Sequence, residues 1–277
     1  GGGGGGPRHW NGSAWAVPSL SMTTYNDNDI FYVFESKQRL FFLFNNALTF
    51  GYLPADSVAG TVANFGVGSV FTYGGRLVAG GKIARDSGDG LDDYTCFLTS
   101  EGELVVYSGS NPADANDWAR VGTYFVGGPV GDRPIIDLGG DLGVITVNGV
   151  VSVLAVMAGQ FNAPDAGAYV SARVATPFRA TVAVGRAHEG WEGLLVPSSD
   201  LMIVNMPLTA TTAVQFVRHR TTGAWCRFTG WDFACFEVLG ATLYAGGFDG
   251  TVYECFTGHD DADDDITAAH STAWSSL

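Results

Sequence analysis

Carboxylates are the most abundant chemically active groups in this chain, and they gather in two runs. Asp86-Ser87-Gly88-Asp89-Gly90-Leu91-Asp92-Asp93 holds four acids in eight residues, and Asp260-Asp261-Ala262-Asp263-Asp264-Asp265, just after His259, holds five in six. Oxygen clusters of this kind attract hard cations such as calcium, but neither run has the ligand register and closing Glu of an EF-hand loop. Both are expected to be solvated loops kept open by like-charge repulsion. Any ion would belong in loops 86–93 and 260–265, with its ligands unassigned. The basic counterpart is Arg218-His219-Arg220, with Arg227 nearby. Alternation along a strand puts Arg218 and Arg220 on one face and His219 on the other. Strand charges facing solvent are the expectation, with an acidic neighbouring subunit as the other reading.

Motifs for nucleophilic and phosphate chemistry are missing. No serine sits in a G-x-S-x-G turn, and Gly81-Lys82 is followed by Ile83, so neither a hydrolase elbow nor a P-loop is formed. His188-Glu189 lacks the second histidine of the zinc-binding H-E-x-x-H helix and reads as loop. Cys96, Cys226, Cys235 and Cys255 make no C-x-x-C pair. They are expected as small buried residues on strands, with a disulfide left open among Cys226, Cys235 and Cys255 if their strands are neighbours. No catalytic residue, cofactor site or cofactor is assigned, and the chain is expected not to be an enzyme. Paired carboxylates for glycoside hydrolysis depend on spacing in three dimensions and stay open at this point.

The charge balance narrows the partners. A net charge of −14 comes from 28 acids and 14 bases, and Lys37 and Lys82 are the two lysines. Phosphate neutralisation needs Lys and Arg, so tight nucleic-acid binding by this chain is not expected. An acidic wall would instead repel DNA and let it slide. No apolar run reaches the roughly 18 residues of a membrane span, and the opening lacks a signal-peptide pattern.

The elements that would position these groups are strands. With 46% of 277 residues hydrophobic and 15% charged, the chain can bury a sizeable core and is not disordered. The 39 glycines against 10 prolines fit many tight turns. Val, Thr, Phe and Tyr crowd the apolar segments, and no long stretch shows 3.6-residue amphipathic spacing. The fold class is all-β, with few helices.

An internal repeat then selects the architecture. A turn, a polar or small residue and a leucine open an apolar strand at Arg39-Leu40, Arg76-Leu77, Asp141-Leu142, Asp200-Leu201 and Thr242-Leu243, at intervals of 37, 65, 59 and 42 residues. These straddle the roughly 40–50 residues of a four-stranded propeller blade. A Pro-containing turn before an aromatic strand follows at Pro54-Ala55-Asp56, Pro112-Ala113-Asp114 and Met206-Pro207. Asn148-Gly149, Asp249-Gly250 and Glu101-Gly102 lie between apolar runs and mark hairpins, including a third-unit strand over Val150–Leu154. The expectation is a β-propeller of about five or more antiparallel blades, near 28–65, 66–128, 129–170, 171–231 and 232–277, with a β-sandwich as its structural alternative. Residues 1–7, opening with Gly1–Gly6, read as a tag, placeholder or unassigned segment, and 8–277 as the propeller domain of a larger protein. Trp10–Ser21 is expected as a closing strand of a neighbouring unit.

Known propeller signatures fit poorly. Asp249-Gly250-Thr251 is a fragment of the sialidase Asp-box, Gly246-Gly247 with Tyr253 echoes kelch once, and Trp231-Asp232 is a single WD pair. A closer likeness lies in Thr222-Gly223-Ala224-Trp225-Cys226-Arg227-Phe228-Thr229-Gly230-Trp231, in Leu243–Tyr253 and in Arg76–Gly81 followed by Asp92-Asp93-Tyr94 and Val105-Val106-Tyr107. These resemble the nozzle or tail-hub proteins of short-tailed bacteriophages over most of residues 30–260. The resemblance implies a propeller in a homo-oligomeric ring, usually a hexamer, in the virion tail. Its partners would be the tail adaptor and tail fibres, and DNA would pass through without sequence-specific binding. It rests on turns and strand cores, so it carries over no catalytic residue. The acidic C-terminal tail, the low lysine count and Gly1–Gly6 depart from that family. A propeller module binding a host receptor or tail fibre is the alternative reading, and a propeller glycosidase comes after it.

Overall fold

The computed structural model describes residues 6–86, 91–160 and 167–258, with the side chains of 85–92 left out. Strands dominate it, and nearly all pair antiparallel with their sequence neighbours. Five such meanders follow one another. The first sheet holds β4 (Ile30–Ser36), β5 (Arg39–Phe44), β6 (Thr49–Tyr52) and β8 (Ala63–Gly66), and the second holds β9 (Leu77–Asp86), β10 (Leu91–Thr99), β11 (Glu103–Ser108) and β12 (Ala119–Phe125). The third is β13 (Ile135–Asp137), β14 (Leu142–Thr146) and β15 (Gly149–Ser152). The fourth is β16 (Glu192–Val196), β17 (Leu201–Pro207), β18 (Ala213–His219) and β19 (Trp225–Thr229), and the fifth is β20 (Phe233–Leu239), β21 (Thr242–Gly247) and β22 (Val252–Glu254).

Each sheet packs face to face on the next, and the first strands β4, β9, β13, β16 and β20 meet in succession. A separate apolar core fills each space between sheets. Phe41, Phe50, Phe97 and Trp118 fill the first space; Cys96, Leu98, Val144 and Val151 fill the second. Ile136, Phe178, Trp191 and Phe216 fill the third, and Ile203, Phe233, Phe236 and Leu243 the fourth. Meander sheets stacked around their inner strands are the blades of a β-propeller.

The marked hairpins fall where their residue types demand. Gly102 at φ +85° turns β10 into β11, and a Cβ there would sit 2.4 Å from the Gly127 carbonyl carbon. The leucine repeat is less regular than the fold because it mixes strands. Leu40, Leu142, Leu201 and Leu243 lie on second strands of their blades, whereas Leu77 opens a first strand. The second strand of the second blade opens at Leu91, and with that substitution the spacing becomes 51, 51, 59 and 42 residues.

Two sequence expectations are corrected. The strand expected over Val150–Leu154 stops at Ser152, where helix α1 (Val153–Met157) starts. The Ser152 hydroxyl accepts the Ala155 N–H, and Asp141 binds both the Ser152 hydroxyl and the Leu154 N–H, so the polar pair turns the chain. The N-terminal segment Trp10–Ser21 is not the single closing strand expected of it. β1 (His9–Trp10) and β2 (Trp15–Ala16) form a hairpin, and β3 (Leu20–Ser21) runs parallel to β7 (Gly60–Thr61) beside the first blade. Leu20, Met22 and Tyr25 then cover Phe42 and Phe44, with the Tyr25 ring stacked 3.9 Å from Phe44.

A longer helix, α2 (Ala175–Gly185), enters the fourth blade and buries Phe178, Thr181 and Val182 against it. It packs so closely that a Cβ on Gly185 would lie 1.7 Å from the Pro207 carbonyl oxygen. The Gly185 carbonyl in turn accepts the Trp191 indole N–H at 3.1 Å.

Candidate functional site

Three places on this frame present chemistry to the outside. The first is the mouth where the inner strands begin. Arg133, just before β13, donates to Glu192 Oε1 at 2.8 Å, and Glu192 Oε2 accepts the Phe236 N–H at 2.8 Å. One carboxylate thus ties the third, fourth and fifth blades together. Glu192 holds Arg133 firmly protonated, above its ordinary value. The Arg133 charge also reaches Tyr32 on β4, whose phenol burial pushes up to about 12. His188, Glu189 and Cys235 line the same opening, a hollow of about 560 Å³.

Further along the inner strands lies a second ionic contact. Lys82 on β9 donates to Glu35 on β4 at 2.5 Å, and this bond lowers Glu35 and raises Lys82. Asp137 and Asp93 add to the field at Lys82. Charges of both signs therefore face one another around the inner strands.

The second place is a cleft of about 640 Å³ between the third and fourth blades, lined by Asp141, Ser152, Tyr169, Asp200, Arg218 and Arg220 among others. Asp200 stands at φ 52°, a left-handed conformation an Asp tolerates because its side chain bonds locally. It accepts the Thr221 N–H and hydroxyl and faces His219 at 3.7 Å and Arg220 at 3.8 Å, contacts that hold its carboxyl below the usual range.

The third is a pair of outward blade faces. On β4, Tyr32 and Phe34 face the second blade, while Phe31 and Val33 are 38% and 43% exposed. On the fifth blade Phe233, Phe236 and Tyr253 face the fourth, while Leu239 and Val252 are 73% and 72% exposed. Cys235, Gly246 and Val252 form one row across that outer face, and Glu237, Tyr244 and Glu254 the next.

The sequence candidates divide among these places. Arg218 and Arg220 both line the cleft between the third and fourth blades, but the expected alternation fails at His219: β18 ends there, Arg220 belongs to the following turn, and His219 and Arg220 both face Asp200. Arg227 lies elsewhere, beside Thr181 and Asp232. His188-Glu189 is loop, at the axial mouth. The acidic run 86–93, expected as a loop, is strand at both ends: Asp86 closes β9 and residues 91–93 open β10, because the two strands keep pairing to that point. Asp93 faces Lys37 at 3.8 Å, and residues 87–90 lie outside the described residues, as does the acidic run 260–265. Among the described residues no group of His, Cys, Asp or Glu could hold a metal ion. All four cysteines are free. Cys96 and Cys255 are buried as expected, but Cys226 and Cys235 are exposed, because their positions fall on outward-pointing sites of β19 and β20. No described helix is long and apolar enough to cross a membrane. Sequence reading passed over Arg133 with Glu192, a pair separated by 59 residues, and over Arg173; neither carries a local motif.

No family model and no curated protein matches this chain. Among solved structures it is similar to Sqt1 of Chaetomium thermophilum, bound in that crystal to the N-terminus of the ribosomal protein L10, at 13% identity and a TM-score of 0.47, over 78% of this chain and 55% of that one. A protein assigned as a 6-phosphogluconolactonase from Bacteroides fragilis matches at 13% identity and a TM-score of 0.42, over 81% and 68%. YCF48 from Cyanidioschyzon merolae matches at 10% and 0.34, over 83% and 51%. The chain spans about half the length of the first and third of these. The strand order by itself identifies the chain as an all-β propeller of antiparallel blades.

Proposed function

We propose that this chain is a structural, protein-binding propeller that works by assembly. Two of its ion pairs join blades: Arg133 with Glu192, and Lys82 with Glu35. The observation that carries the reading is the contrast between sealed and open faces. Every space between successive blades is filled with buried side chains, whereas Leu239 and Val252 stand 73% and 72% exposed on the outer face of the fifth blade. These two side chains flank the Glu237, Tyr244 and Glu254 row, so that face offers another polypeptide apolar contacts with polar groups between them.

The finer reading follows from the resemblance to tail nozzle and hub proteins of short-tailed bacteriophages. In it the chain takes its place in a ring of like subunits, a hexamer in that family, below the tail adaptor in the virion. Its charge of −14 suits a wall past which DNA must slide without sticking. A propeller that binds a receptor or fibre protein uses the same open faces without forming a ring.

Sedimentation across a concentration series distinguishes them. The chain is expected to form a discrete oligomer that Leu239→Glu together with Val252→Glu reduces to monomer while leaving the fold intact. A chain that stays monomeric throughout, alone and with tail components, would falsify the ring. Capture of a fibre or receptor protein by that monomer, lost in the same variant, supports the binding module instead.

A further inference from the structure

We propose that the cleft between the third and fourth blades binds an acidic peptide segment, whose carboxylates are received by Arg218, with Arg173 close beside it. The cleft is of a size that takes one or two side chains of a ligand, at about 640 Å³. Its own acids are already engaged. Asp141 accepts the Ser152 hydroxyl at 2.5 Å and the Leu142 and Leu154 N–H groups at 2.7 and 2.9 Å. Asp200 is held by Thr221 and faced by His219 and Arg220.

Arg218 is different. It lines the cleft and makes no hydrogen bond or ion pair among the described residues. Arg173 donates one long bond, 3.4 Å, to the Gly223 carbonyl. Arg173 does not line the cleft itself, but both guanidinium groups border Gly223, where a Cβ would lie 3.5 Å from Arg218 and 3.9 Å from Arg173. Two cations held together with little compensation, in a chain of 28 acids and 14 bases, form an arrangement that an added anion relieves.

The lining decides which anion. Leu138, Val170, Leu195 and Met202 supply an apolar wall beside the arginines. Arginine forks grip carboxylates in pairs of parallel hydrogen bonds, and an apolar wall accepts the aliphatic side chains between them. A peptide of mixed acidic and aliphatic residues satisfies both. A nucleic acid carries its charge on a sugar-phosphate backbone and offers no aliphatic side chains to this wall.

The test titrates the full chain with a labelled peptide of alternating Asp and Leu, read by fluorescence anisotropy. Saturable binding is expected, weakened by salt and about tenfold weaker with Asn in place of Asp. Arg218→Gln is expected to weaken it about tenfold, and Arg227→Gln, away from the cleft, to leave it unchanged. Arg218→Lys, which keeps the charge and loses the fork, is expected to fall between them; thermal melting establishes that each variant is folded. Absence of saturable binding, equal binding of the Asn peptide, or equal loss in Arg227→Gln overturns the proposal. Displacement of the peptide by equimolar inorganic phosphate overturns it too, in favour of a small-anion site.

Discussion

The space between the first two blades is dominated by stacked aromatic rings, whereas the space between the last two joins a pair of buried amides to its aromatic and aliphatic core. The first is aromatic. Phe50 stacks on Phe97 with ring centres 4.1 Å apart, and Phe34, Phe41, Tyr107 and Trp118 close around them at edge-on or stacked geometries. The last is organised by amides. Asn205 on β17 donates to the Gly190 and Phe233 carbonyls at 2.8 and 2.9 Å, and Gln215 on β18 donates to Asn205 and to the Trp231 carbonyl at 2.8 Å each. Aromatic burial favours many packings of similar energy, whereas a hydrogen-bonded amide pair accepts one. The first space therefore supplies bulk stability. The second fixes how the fifth blade sits, and that blade presents the open face on which assembly depends.

Truncation should separate the two. Phe97→Ala removes a fully buried ring clasped by four others and is expected to cost about 3–5 kcal/mol in denaturant unfolding. Phe236→Ala, beside the open outer face, leaves a site that can collapse and should fall at the low end of that range or below. Equal losses would remove the distinction.

Asn205→Leu tests the amide side. It removes one of the two acceptors of the buried Gln215 amide and the side-chain donor to the Gly190 and Phe233 carbonyls, a loss expected at about 1–3 kcal/mol. The sharper readout is thiol accessibility. Cys235 lies exposed on the blade this network anchors, and Cys96 is buried. In the native chain Cys235 is expected to react with a maleimide far faster than Cys96. In Asn205→Leu the neighbouring buried Cys255 should gain reactivity, while Cys96 should not. Unchanged labelling at Cys255 would mean the fifth blade is held by its apolar core alone.

These two interfaces were unequally legible in the sequence. The strands of the first were readable from Arg39-Leu40-Phe41-Phe42 and Cys96–Thr99, because alternation and β-branched or aromatic composition are local properties. The hairpins at Asn148-Gly149 and Asp249-Gly250 were legible for the same reason: a turn needing positive φ advertises itself in two residues. Helix α2 was not, since its inward stripe at 178, 181, 182 and 185 includes a threonine and a glycine, and Pro177 in its first turn reads as a breaker. The candidate sites were less legible still. Arg218 and Arg220 stood out as a cluster, but the carboxylate that matches Arg220 is that of Asp200, about twenty residues away in sequence and held in place by Thr221. Arg133 meets Glu192 across 59 residues, a pairing set by blade stacking and not by any spacing along the chain.

On the open face the comparison turns from stability to association. Leu239→Glu and Val252→Glu replace side chains that are mostly in water, so each should change unfolding free energy by no more than about 0.5 kcal/mol. A much larger loss would show that these residues are packed in the folded monomer, and the face would no longer count as open.

The smallest effect expected is a change of slope, and it probes the axial mouth that both interfaces share. Burial pushes the Tyr32 phenol up to about 12, opposed by the nearby Arg133 charge. The ordinary value is about 10 in the unfolded chain. Between those values the unfolded chain has released the proton and the folded chain still holds it, so stability falls as pH rises through that window and is fully present below it. Tyr32→Phe removes one titrating proton and should flatten the alkaline limb by one proton's share, leaving the neutral range almost unaltered. Tyr52, Tyr107 and Tyr169, also raised by burial, keep the rest of the slope. Arg133→Gln takes away the opposing charge and should move the midpoint of the Tyr32 step further upward. An unchanged limb in Tyr32→Phe would place that phenol in water, and the inner strands of the first and third blades would then be further apart than the Arg133–Tyr32 interaction requires.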